Sequence, residues 1–265
     1  MMSSVRLLTI LSLLMGLYGC DSRTRADKAK SRISKVQPLE ALPTPSFQGP
    51  IPEGALVERG FDIGRYGGTL VLAAAGRPRT FNPILANESS SSLVLGPAFS
   101  RCWDYHNIKQ EGRPGLCSSF ERSGDGLTYT FTLRKGVRWS DGEPITSGDF
   151  EFSYGLVIDP KISNTKKDLF RQGTSRRGRP LFPRFTKIDD RRFRFSLRRP
   201  DVLFHVLAGS FPVIPRHKWL AAYQAGTFSE AMSIDSDLAE YVGSGPFVLK
   251  RFSVQQGVFL ERNPH

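Results

Sequence analysis

The stretch GLTYTFTLRKGVRWSDGEPITSGDFEF, residues 126–152, carries the clearest structural pattern in the chain. Over 127–133, apolar residues alternate with threonines, which predicts a strand with one buried face and one solvated face. Gly136 and Pro144 then indicate turns around a short strand at 137–139. The stretch therefore predicts a half-buried strand followed by a turn-rich segment.

A helix is predicted directly after these turns. Thr146 and Asp149 have the spacing of a capping box, in which each residue satisfies a backbone N–H at the helix start. The helix should begin at Ser147 and end near Ile158. Strands and helices follow one another without the regular alternation of a doubly wound sheet, so the fold class is mixed α/β. The other predicted elements are a buried strand at 66–73, a half-buried strand at 192–197, a helix opening at 202–207, and a hairpin with strands at 247–249 and 258–260.

The first twenty residues have the order of a secretory signal. Arg6 supplies a positive charge, residues 7–17 form a mostly apolar run, and Cys20 follows. This run is too short to span a bilayer, which takes roughly 20 apolar residues. Leu17-Tyr18-Gly19-Cys20 resembles the lipobox of bacterial lipoproteins, which implies a signal peptide over 1–20 and a lipid on Cys20. We therefore expect export to the periplasmic or cell-surface side, with a membrane anchor through lipidated Cys20.

Residues 21–65 are first basic and then rich in proline, with little hydrophobic periodicity. Such a segment buries too little apolar surface to offset the entropy lost on ordering, so we predict a flexible tether. Residues 66–265 remain for a folded domain and are long enough for a considerable core. The formal net charge of +12 predicts an anionic neighbour, which for an exported chain is first of all the membrane surface.

Cys102 and Cys117 remain as an even pair once Cys20 is assigned to the lipid. An oxidising compartment allows a disulfide between them. Two independently buried thiols are equally consistent with the sequence, because spacing alone does not show that the two Cα atoms lie within the range of a disulfide. Both interpretations stay open at this point.

The sequence has no pattern typical of catalysis or metal binding. His106, His205, His217 and His265 are widely separated and lack a second pair of ligands, which argues against a zinc site. No Gly-x-Ser-x-Gly nucleophile elbow occurs. Gly243-Ser244-Gly245-Pro246 lacks the Lys-Ser/Thr pair of a phosphate loop, and we interpret it as a backbone crossing. We therefore expect no enzyme activity, no cofactor and no metal.

A basic run from Lys161 to Arg199 contains interleaved phenylalanines. Basic residues with aromatics are typical of nucleic-acid binding. Here, however, the aromatic residues alternate as they do in a sheet, which buries them. We interpret the run as a solvated basic face near anionic lipid and expect no nucleic-acid partner.

Four blocks of sequence occur in a fixed order. The blocks are Gly67-Gly68-Thr69-Leu70 with Thr80-Phe81-Asn82-Pro83, 126–152 continued to Ile158-Asp159-Pro160, 211–217, and 242–249 with 260–264. Together they resemble the family 5 extracellular solute-binding proteins, which serve oligopeptide and dipeptide ABC transporters. Cys102 and Cys117 stand where the family usually has other residues, which favours a disulfide particular to this lineage.

This resemblance implies a periplasmic-binding-protein-like type II fold of the peptide-binding cluster, with a small subdomain inserted over 87–183. The family's second lobe would follow Pro264, so residues 66–265 are expected to be the first lobe alone, with the second lobe absent, and the chain a fragment. In the family the ligand backbone lies against the loop after the first strand. The ligand-binding residues implied here are Arg79, Thr80, Phe81 and Asn82.

The function implied by the resemblance is that of the extracytoplasmic substrate-binding component of an ABC importer. Its partners would be a peptide or other small solute and the permease subunits of the transporter. The alternative is a surface lipoprotein that uses the same fold as a polyanion- or protein-interaction module, without solute transport.

Overall fold

The structure, a computed structural model, describes residues 68–106 and 111–265. The signal peptide predicted for 1–20, with Cys20, and the tether predicted for 21–65 lie outside these residues. The helices are α1 Ser89–Ala98, α2 Ser147–Ile158, α3 Lys166–Leu169, α4 Phe204–Ser210 and α5 Arg216–Gln224, with a 3-10 turn at Leu238–Glu240. The strands are β1 Trp103–His106, β2 Glu111–Pro114, β3 Cys117–Arg122, β4 Thr128–Leu133, β5 Arg184–Lys187, β6 Arg192–Ser196, β7 Phe247–Ser253 and β8 Gly257–Arg262.

Strands β3, β4, β6 and β5 form an antiparallel sheet in that order. In β4, Tyr129, Phe131 and Leu133 are fully buried, while the threonines between them are half-buried. Phe131 lies opposite Phe193 of β6, so the two strands share one apolar face. The strands predicted at 127–133 and 192–197 are therefore confirmed, because alternation along a strand is a local property of the sequence.

Helix α2 covers the apolar face of this sheet. The Thr146 hydroxyl accepts from the Gly148 N–H at 3.2 Å, and the Thr146 N–H donates to Asp149 Oδ2 at 2.8 Å, which confirms the predicted capping box. The Phe150 ring stacks on Phe193 with centroids 4.7 Å apart. An aromatic pair of this kind contributes about 0.5–1.5 kcal/mol beyond the area that it buries.

The hairpin predicted near the end of the sequence is also confirmed. Strands β7 and β8 pair antiparallel from Phe247 opposite Arg262 to Ser253 opposite Gly257. Leu249 of β7 is buried and belongs to the core, which connects the hairpin to it. The helix predicted to open at 202–207 is α4.

A disulfide joins Cys102, just before β1, to Cys117 at the start of β3. Both residues are fully buried, and their Cα atoms are 4.7 Å apart, which is within the range that a disulfide spans. The N–H groups of Gly115 and Cys117 both donate to the Cys102 carbonyl at 3.0 Å. The covalent and backbone bonds together fix the β1–β2 hairpin to an edge strand of the sheet.

The strand predicted at 66–73 is wrong for the residues that the structure describes. Leu70, Val71 and Leu72 form no strand and are 82%, 85% and 63% exposed. An apolar run becomes a buried strand when a neighbouring strand satisfies its backbone N–H and C=O groups. No strand within 68–106 or 111–265 pairs with this segment.

One further element differs from the prediction. In place of a short strand at 137–139, the structure has a single bridge between Arg138 and Pro144. The subdomain over 87–183 stays a prediction. The sheet that contains β3 and β4 continues past residue 183 with β5 and β6, to Ser196.

Candidate functional site

The loop 78–83 precedes α1 and is bound to a segment far along the chain. The Phe81 N–H donates to the Met232 carbonyl at 2.9 Å, and the Thr80 hydroxyl donates to the same oxygen at 3.3 Å. Thr80 and Ser233 also form an antiparallel bridge. Met232 has a φ of 59°, a left-handed conformation that costs a non-glycine residue about 1–3 kcal/mol. The surrounding structure thus fixes the Met232 carbonyl opposite the loop.

Asn82 holds this loop from inside. Its side chain is fully buried, and Nδ2 donates to the carbonyls of Phe228 at 3.4 Å and Ala231 at 3.3 Å. Its Oδ1 accepts from the Ile84 N–H at 3.0 Å. Every polar atom of the amide therefore has a partner within the protein, as a buried polar group requires.

Phe81 is also part of the core. It has no exposed surface, and its ring meets those of Tyr241 and Phe252 edge to face, with centroids 6.0 Å and 5.5 Å apart. The side chain therefore anchors the loop in the same way as Asn82 and offers no surface to a ligand.

The start of α1 holds the loop on its other side. The Ser91 hydroxyl accepts from the N–H groups of Arg79 at 3.1 Å and Thr80 at 3.2 Å and donates to the Glu88 carboxylate. Burial acts to raise the pKa of Glu88, but the hydrogen bonds from Ser91 and from backbone N–H groups outweigh it, and the pKa lies below its ordinary value. Glu88 is therefore a carboxylate at neutral pH and can keep accepting these bonds.

Lys166 of α3 binds the residues that follow this loop. Its ammonium group donates to the carbonyls of Ile84 and Ala86. Burial lowers the pKa of Lys166, and the nearby Glu88 carboxylate opposes that change. Lys166 lies in the basic run that the sequence suggested to be solvated, and at this residue the suggestion is wrong, because the side chain turns inward to two backbone acceptors.

The structure brings all four predicted ligand residues onto one loop but gives them different surroundings. Arg79 is exposed and Thr80 is half-buried, whereas Phe81 and Asn82 are inside the protein. The residues that the sequence did not indicate are Ser91, Lys166 and Met232, since each acts through contacts with residues distant in the chain. Pro83, next to Asn82, was the only local signal of an ordered turn.

The segment Gly243-Ser244-Gly245-Pro246 packs against the end of α1. A Cβ on Gly243 would lie 2.3 Å from the Ala98 carbonyl oxygen, and one on Gly245 would lie 2.2 Å from that of Pro97. The Gly245 N–H donates to Ala98 O at 2.9 Å. Glycine is required here because two backbones approach too closely for any side chain.

The part of the chain that the structure describes contains no group of three or more His, Cys, Asp and Glu placed to hold a metal ion. In that same part, no helix combines the length and apolar character needed to cross a membrane.

Comparison with known proteins gives consistent matches. A family model described as bacterial extracellular solute-binding proteins, family 5 Middle, matches residues 111–265. The chain is 28% identical over 203 residues to the oligopeptide-binding protein OppA of Bacillus subtilis, covering 74% of the chain and 36% of that protein. It is 30% identical over 198 residues to the dipeptide-binding protein of Escherichia coli, covering 69% of the chain and 35% of that protein.

Among solved structures, the ABC transporter substrate binding protein CtaP from Listeria monocytogenes is similar, with a TM-score of 0.59 and 25% sequence identity. That similarity covers 74% of this chain and 37% of CtaP. The chain spans about a third of the length of the curated relatives that it matches.

Proposed function

Since the chain belongs to the bacterial extracellular solute-binding proteins of family 5, we propose that it is the extracytoplasmic substrate-binding component of an ABC importer for peptides or similar solutes. The family match over 111–265 carries this proposal. Proteins of this family are transport components that act outside the cytoplasm, and they are not enzymes. The predicted type II periplasmic-binding-protein fold, in the α/β class, is confirmed by the same comparisons.

The loop 78–83 supports a more detailed proposal about the solute. Arg79 and Thr80 are the members of the loop with accessible side chains, and we assign contact with the solute to them. A guanidinium group binds a carboxylate through charge-assisted, often bidentate hydrogen bonds, and a peptide carries such a group at its C-terminus. Phe81 and Asn82 position the loop, because both are buried and Asn82 is fully hydrogen-bonded.

Calorimetry on the purified chain tests this proposal. A mixture of short peptides, and then trialanine as a single probe, is expected to give saturable heat. Arg79→Ala should weaken trialanine binding at least about tenfold, because a hydrogen bond to a charged group contributes about 1.5–3 kcal/mol. Arg77→Ala is the matched control, since Arg77 is also exposed and lies two residues earlier, outside the loop 78–83.

Two outcomes would contradict the proposal. Absence of heat from a chain that circular dichroism shows to be folded would contradict peptide binding by this chain. An equal loss in Arg79→Ala and Arg77→Ala would contradict the assignment of Arg79, since both changes remove the same charge and only one lies on the loop.

The location and the transport partner are proposed on the sequence pattern. A lipid on Cys20 and a tether over 21–65 would keep the domain near the permease subunits. Cys20→Ser is expected to release the protein from the membrane fraction of cells washed at high salt. A native protein whose mass shows no acyl group on Cys20 would contradict the anchor and leave the solute-binding proposal intact.

A further inference from the structure

Nearly the whole net charge of the chain lies in one segment. Between residues 161 and 199 the sequence has 14 Lys and Arg against 3 Asp, a net of +11, and the complete chain has +12. Lys187 pairs with Asp190, and Arg192 pairs with Asp189. Within the described ranges, several exposed arginines of this segment form no ion pair, and six of them lie in 171–179 and 198–199; they are Arg171, Arg176, Arg177, Arg179, Arg198 and Arg199. We name these six residues the arginine surface.

A short hairpin over 172–181 holds part of the arginine surface away from the core. The Gln172 N–H donates to Leu181 O at 2.7 Å, and the Ser175 N–H donates to Arg179 O at 2.7 Å. Arg176 and Arg177 lie at the tip of this hairpin, between the bonded positions. Backbone bonds therefore present two adjacent guanidinium groups to solvent.

The hairpin lies beside the segment 198–204. Gln172 Oε1 accepts from the Arg198 N–H at 2.9 Å, and the rings of Phe170 and Phe204 have centroids 6.3 Å apart. These contacts bring Arg198 and Arg199 next to the hairpin. Asp201 is the carboxylate within these two segments and Asp168 lies shortly before the hairpin, so six arginines are accompanied by two carboxylates.

Aliphatic side chains accompany these arginines. Leu169, Val202 and Leu203 are 66%, 63% and 69% exposed. Leu169 precedes Phe170, and Leu203 precedes Phe204, so the two leucines lie on the neighbouring segments. A surface of arginines with exposed aliphatic groups fits the boundary of an anionic bilayer, where headgroups pair with cations and acyl chains accept apolar groups.

The aromatic residues of the same segment favour a lipid partner over nucleic acid. Single-stranded nucleic acid binds through bases stacked on exposed aromatic rings. Phe193, Phe195 and Phe170 have 0%, 0% and 1% of their surface exposed, so they offer no platform for a base.

We propose that the arginine surface, together with Leu169, Val202 and Leu203, docks the folded domain directly on an anionic lipid bilayer. This contact is separate from any lipid on Cys20 and from solute binding at the loop 78–83. It would orient the domain against the membrane, whereas a lipid on a tether would only keep it nearby.

Vesicle co-sedimentation of the full chain carrying Cys20→Ser tests the proposal, because that change removes any acyl anchor. Binding is expected to vesicles of phosphatidylcholine mixed with phosphatidylglycerol, to be weak on phosphatidylcholine alone, and to fall as salt is raised. Arg176→Gln with Arg177→Gln should lower the partition coefficient roughly 30-fold, since each basic residue near such a surface contributes about a fivefold factor.

The matched control is Lys135→Gln with Lys250→Gln, which removes the same charge from exposed positions outside the arginine surface. Lys135 lies just after the C-terminal end of β4. Arg198 lies near the other end of that strand, because Ser196 pairs with Thr128 at the start of β4. Equal losses in the two double variants would overturn the proposal in favour of a general charge effect. Tighter binding to a soluble polyanion, such as heparin or an oligonucleotide, than to the mixed vesicles would overturn the bilayer as the partner. Trialanine binding that is retained in Arg176→Gln with Arg177→Gln would show that loss of vesicle binding is independent of solute binding.

Discussion

Replacement of Asn82 by alanine tests whether this residue positions the loop 78–83. The change leaves the Ala231 carbonyl and the Ile84 N–H without these partners, and it removes one of the two hydrogen bonds to the Phe228 carbonyl, which also accepts from the Ala231 N–H at 3.2 Å. A buried polar group left unsatisfied costs about 1–3 kcal/mol. The two bonds from Nδ2, at 3.4 Å and 3.3 Å, are long and belong at the low end of that range. The free energy of unfolding should therefore fall by about 2–4 kcal/mol, a large share of the 5–15 kcal/mol typical of a domain.

Urea unfolding, followed by circular dichroism and by tryptophan fluorescence, measures this loss as a lower midpoint with an unchanged slope. Asn87→Ala is the control, because Asn87 is exposed five residues later, and its change should stay within about 0.5 kcal/mol. A loss below about 1 kcal/mol in Asn82→Ala would refute the assignment of a positioning role. An equal loss in Asn87→Ala would attribute the effect to a general sensitivity of this part of the chain to substitution.

Three further predictions concern other parts of the fold. Gly243→Ala places a Cβ 2.3 Å from the Ala98 carbonyl oxygen and should lower the unfolding free energy by about 1–3 kcal/mol, whereas Gly124→Ala, in open space, should leave it nearly unchanged in the same urea titration. Cys102→Ser with Cys117→Ser removes a link with a sequence separation of 15 and should cost about 3 kcal/mol, and the unmutated chain in reductant should unfold at the same midpoint as the double variant. Burial acts to raise the pKa of Asp141, but the hydrogen bond from His217 and those from the backbone hold it below its ordinary value of 3.8. The ionised carboxylate thus stabilises the fold above about that pH, and this contribution is lost as the pH falls through the lower folded pKa. Asp141→Asn should therefore flatten the acid side of the stability profile, and an unaltered profile would contradict this linkage.

Elements whose pattern is local were predicted well from the sequence. The alternation in 127–133 and the capping box at Thr146 and Asp149 each describe neighbours in the chain, and the structure has β4 and α2 at those places. The strand predicted around Leu70 failed for the opposite reason. Its apolar run satisfied the local pattern, but a strand also needs a partner for its backbone, which no local pattern supplies.

The candidate site was predictable only in its position. The family resemblance indicated the loop 79–82, and the structure places these residues together. The division between the exposed Arg79 and the buried Asn82 depends on contacts with Phe228 and Met232, some 150 residues later, and on Ser91. A turn signal such as Asn82-Pro83 depends on neighbouring residues and does not indicate such distant partners.

The bond between Thr80 and Met232 spans 152 residues, and this separation has a consequence for the order of folding. During synthesis the loop is made early, yet it cannot complete its hydrogen bonds until the segment around Met232 has emerged as well. Contacts of such high sequence separation close slowly, because the entropy of the intervening chain must be lost first. Core residues made early, such as Phe81, have partners that are made late. The nascent chain therefore remains unfolded for longer. Under the export proposed above, this delay would leave time for the chain to cross the membrane before the domain closes.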